Sequence, residues 1–206
     1  MTTTDSPKKK GSVPRWLAIP TAKPQLSTAE VAAKYPRLRF QVFMGIFIGY
    51  ATFYLIRNNV PLVTPILTHE LGFSNAAIGA LSTALLLAYG FSKFFTAMIS
   101  DRSNARLFLP IGLVLSGIAN VLLAIAGYMG SGAAAAGYGA AIASTMAAIM
   151  VFNGIFQGMG WPPSGRVLVN WFSTSERGSK VSLWNTAHNV GGALSGLLVA
   201  WGFTLF

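Results

Sequence analysis

The sequence predicts an all-α integral membrane protein. Of its 206 residues, 53% are hydrophobic and only 10% are charged, whereas a soluble domain carries about 25% charged residues. The mean hydropathy is +0.55, and the chain contains no cysteine, which excludes disulfides, iron–sulfur clusters and thiolate zinc sites. The apolar residues form five stretches. Each reaches the roughly 20 residues that a helix needs to cross a bilayer, and each is too long for a strand.

Residues 1–39 precede the first apolar stretch and form the predicted cytoplasmic N-terminal tail. They hold eight of the 15 Lys and Arg residues and no apolar segment that could serve as a signal peptide. We expect a flexible arm, with a short helix near STAEVAAKY, whose basic run Lys8–Lys10 contacts anionic lipid head groups. Nucleic acid is not the expected partner, because most of the other basic residues lie at the ends of apolar segments.

Residues 40–206 form the predicted transmembrane helical bundle. Its five helices are expected at about 40–67, 76–100, 107–128, 138–163 and 179–206. Within them, Gly154 and Gly158, and likewise Gly192 and Gly196, have the spacing of small residues that lets membrane helices approach closely. The motif GMGWPPSG is expected to end or kink the fourth helix, because prolines lack backbone donors.

The loops between the predicted helices indicate the orientation of the bundle. THELGFSN and MGSGAAAAG contain no Lys or Arg, whereas SDRSNAR contains two and GRVLVNWFSTSERGSK contains three. With the eight in the tail, 13 of the 15 basic residues lie on one side of the membrane. The positive-inside rule predicts that this side, and with it the N-terminus, is cytoplasmic.

Two basic residues, Arg57 and Lys93, fall inside predicted helices. The five acidic residues lie in the tail, in loops or at helix ends, so no carboxylate is available within the membrane to neutralise these cations. One explanation is snorkelling to the interface, which is easier for Lys93, seven residues before Ser100, than for Arg57. We favour the other explanation, a water-filled cavity with fixed positive charge that holds an anion.

Tyrosines accompany both cations at helical spacing. Tyr50, Tyr54 and Arg57 are related as i, i+4 and i+7, and Tyr89 and Lys93 as i and i+4, so each group shares one helix face. Tyrosine hydroxyls can donate hydrogen bonds to an anion, and the rings form a wall of low dielectric constant. Aromatic stripes often serve packing alone, but here each stripe ends on an intramembrane cation, which favours a binding site.

His188 is a third candidate ligand. It lies about eight residues into the last predicted helix, and Lys93 lies seven residues from the same side of the membrane. A rise of about 1.5 Å per residue therefore places the two side chains at comparable depth. His188 could contact the anion, or it could form a hydrogen bond between helices.

Five motifs carry a family resemblance. They are QVFMGIFIGYATFYLIR, AYGFSKF, SDRSNARLFLP, FQGMGWPPSGR and SERGSKVSLWNTAHNVGG. From about Arg39 to its end, the sequence resembles the organophosphate:phosphate antiporters of the major facilitator superfamily. The resemblance implies twelve helices in two pseudo-symmetric halves with substrate held between them. This chain would supply the first five, and the sixth helix and the second half would lie beyond Phe206.

The resemblance also implies roles for individual residues. Substrate contacts are expected for Arg57, Lys93, His188, Tyr50, Tyr54, Tyr89, Gln157, Trp161, Trp184 and Asn185. Asp101, Arg102 and Arg106 match the gating loop between the second and third helices. Two positions depart from the pattern: Ala97 replaces the glycine of that loop motif, and Asn58 replaces a basic residue of the glycerol-3-phosphate transporters. The identity of the organophosphate therefore stays open.

Two functions fit these expectations. The first is a secondary active transporter of the inner (plasma) membrane that exchanges an organophosphate, such as glycerol-3-phosphate, for inorganic phosphate by alternating access. It would need no enzyme activity, cofactor or metal, and its partners would be the two small molecules, membrane lipid and the second half of the protein. The second is a transporter-like sensor that binds sugar phosphates with the same cations and relays occupancy to a partner kinase.

Overall fold

The computed structural model describes residues 13–21, 24–69, 72–133 and 139–205. The helices within these ranges are α1 (Thr28–Arg57), α2 (Asn59–Leu62), α3 (Thr64–His69), α4 (Asn75–Arg102), α5 (Ala105–Ala133), α6 (Gly139–Gln157), α7 (Trp161–Trp171), α8 (Thr174–Asn185) and α9 (Ala187–Leu205). By length and composition, four stretches could cross a membrane: Thr28–Arg57, Asn75–Arg102, Ala105–Gly130 and Ala140–Trp171.

The boundary expected at residue 39 between tail and bundle is crossed by a continuous helix. Helix α1 begins in the tail because Ser27 and Glu30 form a capping box, in which each side chain accepts a hydrogen bond from the other's backbone N–H.

Further upstream, the carbonyl of Leu17 accepts a hydrogen bond of 2.8 Å from the backbone N–H of Asn104. Part of the tail, expected to be flexible, thus lies against the loop between α4 and α5. Lys8–Lys10 lie outside the described residues.

The first predicted helix, 40–67, is interrupted at Asn58, and α1 ends on Arg57. Proline at position 61 explains the interruption, because Pro61 has no N–H to donate to the carbonyl of Arg57 four residues earlier. The chain continues as the two short helices α2 and α3. The guanidinium of Arg57 is therefore attached at the carbonyl end of a long helix, where the helix dipole favours a positive charge.

The second and third predicted helices correspond to α4 and α5, whereas the fourth and fifth are each divided. Between α6 and α7 the helix is broken at residues 158–160, and Pro162 and Pro163 lie in the first turn of α7. The fifth, expected as one helix over 179–206, is divided at Thr186 into α8 and α9. The backbone N–H and the hydroxyl of Thr186 both donate to the carbonyl of Leu183, at 3.2 and 2.8 Å, forming a tight turn.

Helices α4 and α6 approach closely at the first predicted glycine pair. A Cβ atom on Gly154 would lie 2.4 Å from the carbonyl oxygen of Leu85, and one on Gly158 would lie 2.0 Å from Oγ of Ser92. Real Cβ atoms do not come this close to other heavy atoms. Glycine at both positions thus permits the contact between the two helices.

Helices α1 and α9 approach at a glycine other than the predicted pair. A Cβ on Gly191 would lie 2.0 Å from the carbonyl oxygen of Ala51, whereas one on Gly196 would meet nothing within 4 Å. A Cβ on Gly192 would be 3.4 Å from Nδ2 of Asn58, which is ordinary contact. All three glycines lie within α9, where Gly191 is about 100° around the helix from Gly192, so the small-residue spacing alone does not identify the face that meets α1.

The buried side chains form two apolar clusters. Cluster 1 joins α1 to α7, α8 and α9 and contains Phe43, Ile46, Tyr50, Ala51, Leu168, Phe172, Trp184 and Ala187. Cluster 2 joins α2 and α3 to α4, α5 and α6 and contains Val60, Leu67, Phe73, Ile78, Leu81, Leu85, Leu123, Met146 and Met150. Along the chain, Arg57 falls between Ala51 of cluster 1 and Val60 of cluster 2. The clusters thus flank a polar layer.

The end of the bundle that carries the basic loops, called the basic end below, is closed by polar contacts. Arg39 of α1 forms an ion pair with Glu176 of α8, and the hydroxyl of Tyr35 donates to the carbonyl of Trp171 at 2.7 Å. The hydrogen bond from Arg39 is the main reason that the pKa of Glu176 lies below its ordinary value. Bonds from Ser173 act in the same direction, and burial opposes them.

The contact at Gly191 gives a test of the packing between α1 and α9. Gly191→Ala places a methyl group against the backbone of Ala51, and overpacking of this kind typically costs about 1–3 kcal/mol. We expect a lower thermal unfolding temperature in detergent. Gly196→Ala is the matched control, because its methyl group meets open space and alanine favours a helix. Equal unfolding temperatures for the two variants would contradict this packing.

Candidate functional site

Five of the predicted site residues lie in one row that alternates cationic or titratable groups with tyrosine rings. Nζ of Lys93 is 4.0 Å from the ring centroid of Tyr89, and Cζ of Arg57 is 4.1 Å from the same centroid. On its other side, Cζ of Arg57 is 4.3 Å from the ring centroid of Tyr54. That ring lies 5.4 Å from the ring of His188. The row crosses the bundle from α4 through α1 to α9.

Glycine contacts pack a neighbouring helix against the backbone beside each tyrosine of this row. A Cβ on Gly154 of α6 would lie 2.9 Å from the backbone nitrogen of Tyr89, and one on Gly191 of α9 would lie 2.9 Å from Cβ of Tyr54. Each close helix approach thus occurs beside one of the two tyrosines that separate the charged groups. This packing fixes the backbone at Tyr89 and Tyr54, and so the ring faces against which Arg57 and Lys93 lie.

Within the described ranges, neither Arg57 nor Lys93 forms an ion pair. The salt bridges found there join Lys34 with Glu30 and Arg39 with Glu176, both outside the row. Each cation–ring contact contributes about 0.5–2 kcal/mol, which does not neutralise charge. The row therefore keeps at least two positive charges between apolar clusters, where an anion would be strongly attracted.

The guanidinium of Arg57 is only partly satisfied. Its Nε donates to Oε1 of Gln157 at 3.0 Å, whereas Nη2 is buried and has no hydrogen-bond partner among the described residues. A buried donor without a partner costs about 1–3 kcal/mol, and arginine cannot escape this cost by losing its proton. The site is therefore arranged to accept a ligand with acceptor oxygens.

Tyr50 and Trp184, both members of cluster 1, connect that cluster to the row. The ring of Tyr50 lies 5.3 Å from that of Tyr54 and 4.4 Å from that of Trp184. Trp184 is 2% exposed, and its indole N–H donates to the carbonyl of Ile46 at 3.2 Å. Its polar group is thus used to join α8 to α1, so Trp184 supports the aromatic wall.

Two predicted site residues, Trp161 and Asn185, are not brought into the row. Both are exposed, and in the described part of the chain neither has a hydrogen bond or ring contact with Arg57, Lys93 or His188. A separation of four residues would place Trp161 on the face of Gln157 in a continuous helix. The break at residues 158–160 removes that relation, and Asn185 follows the buried Trp184 on a different face of α8.

Comparison with known proteins identifies the family. The family profile described as the Major Facilitator Superfamily matches residues 46–206. The chain belongs to the major facilitator superfamily. Over 182 residues it is 47% identical to the Glycerol-3-phosphate transporter of Bacillus subtilis (strain 168), an alignment that covers 88% of this chain and 38% of the relative. It is therefore a multi-pass membrane protein of a transporter family.

Two further relatives show the range of functions among similar proteins. The Glycerol-3-phosphate transporter of Haemophilus influenzae (strain ATCC 51907 / DSM 11121 / KW20 / Rd) is 46% identical over 88% of this chain and 36% of its own length. The Membrane sensor protein UhpC of Escherichia coli (strain K12) is 38% identical over 83% of this chain and 36% of its own length. The chain thus spans less than two fifths of the length of these relatives.

The predicted gating loop of this superfamily member lies at the basic end, away from the row. Asp101 and Arg106 line a cavity of about 630 Å³, together with Arg166 of α7. Arg102, at the end of α4, is exposed. These residues lie at the junction of α4 and α5, and their gating role stays a prediction.

Arg166 lies in α7 beside this loop, and its role was not predicted from the sequence. Its guanidinium donates to the carbonyl of Ser100 and, at 2.6 Å, to the carbonyl of Ser103. These carbonyls end α4, so Arg166 caps that helix from α7. The sequence showed only a basic residue near a membrane end, which is too common a signal to single it out.

The roles of Ser116 and Asn153 were not predicted from the sequence either. Nε2 of Gln157 donates to Oγ of Ser116 at 2.7 Å, and Ser116 donates to Oδ1 of Asn153. Asn153 carried a usable signal, because a polar residue within an apolar span commonly marks a functional position.

Within the described ranges, no group of three or more His, Asp or Glu side chains could hold a metal ion.

Proposed function

We propose that the chain forms the N-terminal part of a secondary active transporter that exchanges an organophosphate, such as glycerol-3-phosphate, for inorganic phosphate. The observation that carries the proposal is the buried, unpartnered Nη2 of Arg57 in a row with Lys93 and His188, with no carboxylate paired to the row among the described residues. The names of the two relatives at 46–47% identity favour glycerol-3-phosphate as the organophosphate.

Each polar side chain of the row supplies a different interaction with a phosphate group. Arg57 offers a planar, permanently charged donor to the phosphate oxygens. Lys93 acts as a point charge without a preferred plane, and His188 offers a ring N–H. The rings of Tyr54 and Tyr89 separate these groups and lower the dielectric constant around them, which strengthens every contact with the anion.

Exchange requires no covalent chemistry, so we expect no enzyme activity. The bound anion removes the repulsion between cations held near one another, and this lowers the energy of the state in which the site is closed. A site that closes only when occupied moves one anion inward for each anion outward. The phosphate gradient then supplies the driving force, and the remaining helices of the full-length transporter would form the other wall of the site.

We further propose that the protein resides in the inner (plasma) membrane with its N-terminus in the cytoplasm. The support is the distribution of basic residues, 13 of 15 of which lie in the tail and in the loops of the basic end. In this orientation the cavity lined by Asp101 and Arg106 faces the cytoplasm, next to anionic lipid.

A sensor is the second candidate function, favoured by the 38% identity to the Membrane sensor protein UhpC. A sensor would keep the same row of cations, because binding is common to both functions. It would relay the occupied state to a partner kinase and would not need to exchange one anion for another.

Exchange by the full-length transporter distinguishes the two candidates. Membrane vesicles loaded with inorganic phosphate are expected to accumulate radiolabelled glycerol-3-phosphate, and vesicles without internal phosphate are expected to accumulate much less. Hexose phosphates and phosphoglycerate are tested in parallel as alternative substrates. Saturable binding of an organophosphate without any exchange would support the sensor, and absence of both would remove the proposed function.

Reciprocal substitutions test the roles of the two cations. Arg57→Lys keeps the charge and loses the planar donor, so phosphate affinity should fall at least tenfold, because charge-assisted hydrogen bonds contribute about 1.5–3 kcal/mol each. Lys93→Arg should retain measurable affinity, since a point charge is what this position supplies. Phosphate binding to the purified full-length transporter is measured by calorimetry.

Lys93→Ala is the control for charge and should lose most of the binding. Thermal unfolding of every variant separates loss of the site from loss of the fold, and we expect Arg57→Lys to unfold near the wild-type temperature. Normal phosphate binding by Arg57→Lys, with an unfolded Arg57→Ala, would make Arg57 a structural anchor and contradict the proposal.

The orientation is tested with single cysteines in a background without other cysteines. Ser175 lies exposed at the basic end, and Asn75 lies exposed at the opposite end of the bundle. In right-side-out vesicles, an impermeant maleimide should label Asn75→Cys and should label Ser175→Cys only after permeabilisation. The reverse pattern would place the N-terminus outside.

A further inference from the structure

A line of buried hydrogen bonds leads from Arg57 into the contact between α5 and α6. Nε of Arg57 donates to Oε1 of Gln157 at 3.0 Å, and Nε2 of Gln157 donates to Oγ of Ser116 at 2.7 Å. Ser116 then donates to Oδ1 of Asn153. Gln157, Ser116 and Asn153 are 1%, 0% and 2% exposed, so water does not compete for these bonds.

The direction of donation along this line follows from Arg57. A guanidinium can only donate, so the amide of Gln157 must turn its oxygen toward Nε and its NH₂ group toward Ser116. Ser116 therefore accepts a hydrogen bond from Gln157, and its own O–H donates to Oδ1 of Asn153. Rotation of the Gln157 amide would place its NH₂ group against the N–H of Arg57, leaving two donors facing each other in a buried site, which is costly.

A second branch fixes the same part of α5 from the other side. Nδ2 of Asn120 donates to the backbone carbonyl of Ser116 at 2.8 Å, and Nδ2 of Asn59 donates to Oδ1 of Asn120 at 3.2 Å. Oγ of Ser195 donates to Oδ1 of Asn59 at 3.3 Å. The helix that carries Ser116 is thus tied to α2, just after Arg57, and to α9, which carries His188.

We propose that Ser116 and Asn153 are positioning residues for anion binding. They anchor the amide group of Gln157 in place, so that its oxygen restrains Arg57 through Nε and leaves Nη2 as the donor for the anion. This inference rests on the proposed function, since it assigns the anion to Arg57. It also reassigns Gln157: its amide oxygen and nitrogen are both engaged within the protein, so Gln157 orients Arg57 and is not itself a ligand of the substrate.

Removal of the Ser116 hydroxyl is the direct test. In the full-length transporter, Ser116→Ala should weaken binding of inorganic phosphate about three- to tenfold, the size expected for one neutral hydrogen bond. Ser116→Thr keeps a hydroxyl and should restore the affinity. Ser164→Ala is the matched control: Ser164 is also fully buried and donates to the carbonyl of Gly160 at 2.9 Å, outside this line. The Ser164→Ala variant should bind phosphate like the wild type.

A double-mutant cycle tests whether Ser116 acts through Gln157. Gln157→Met removes the amide at similar volume, and in that background Ser116→Ala should change phosphate affinity no further. Additive losses would show that Ser116 acts independently of Gln157 and would overturn the proposal. Wild-type affinity in Ser116→Ala would overturn it as well.

Two further measurements distinguish failure of the positioning role from loss of stability and from failure of the proposed function. Should Ser116→Ala unfold at a lower temperature than Ser164→Ala, Asn153→Ala repeats the test from the far end of the line, and an unchanged affinity there counts against the proposal. Wild-type protein that binds no phosphate refutes the proposed function. Phosphate binding that is lost in Arg57→Lys but unchanged in both Ser116→Ala and Asn153→Ala refutes only the positioning role.

Discussion

The structure depends on one constraint: the guanidinium of Arg57 must stay charged inside an apolar bundle, with no carboxylate paired to it in the described part of the chain. Three features of the fold meet this constraint. Helix α1 ends at Arg57 because Pro61 cannot continue it, so the carbonyl end of the helix faces the cation. Close helix contacts at Gly154 and Gly191 pack beside Tyr89 and Tyr54, whose rings lie on both sides of the guanidinium. The buried side-chain amide of Gln157 then accepts a hydrogen bond from Nε of Arg57.

Stability and function are carried by different layers of the molecule. Clusters 1 and 2 and the glycine contacts supply apolar packing and close helix approach. The polar layer between them leaves Nη2 of Arg57 without a partner in the described part of the chain, at a cost of about 1–3 kcal/mol. A ligand that supplies the missing acceptor recovers this energy on binding. An unfavourable feature of the empty site thus becomes part of its affinity for an anion.

The sequence predicted the helical membrane fold and, residue by residue, much of the row. Arg57, Tyr54, Tyr89 and Lys93 could be grouped because intramembrane charge and helical spacing are both local properties. The breaks at Asn58, Thr186 and residues 158–160 were harder to place, because they depend on how turns satisfy backbone donors. Trp161 was expected near the site from the family resemblance, which does not show the break at residues 158–160. Gly192 was expected at a helix contact from its spacing with Gly196, although its neighbour Gly191 makes that contact. The line through Ser116 joins residues 37 to 100 positions apart, which no local pattern indicates.

The neutrality of Gln157 explains how one arginine can be both held and available. A carboxylate at this position would hold the guanidinium more strongly, but it would also cancel the charge that attracts the anion and would compete with it for the donors. An amide oxygen accepts one hydrogen bond and leaves the net charge unchanged. The cost is that an amide can present either its oxygen or its nitrogen. Arg57 itself selects the oxygen, because a guanidinium can only donate, and Ser116, held by Asn153, anchors the NH₂ group on the other side of the amide.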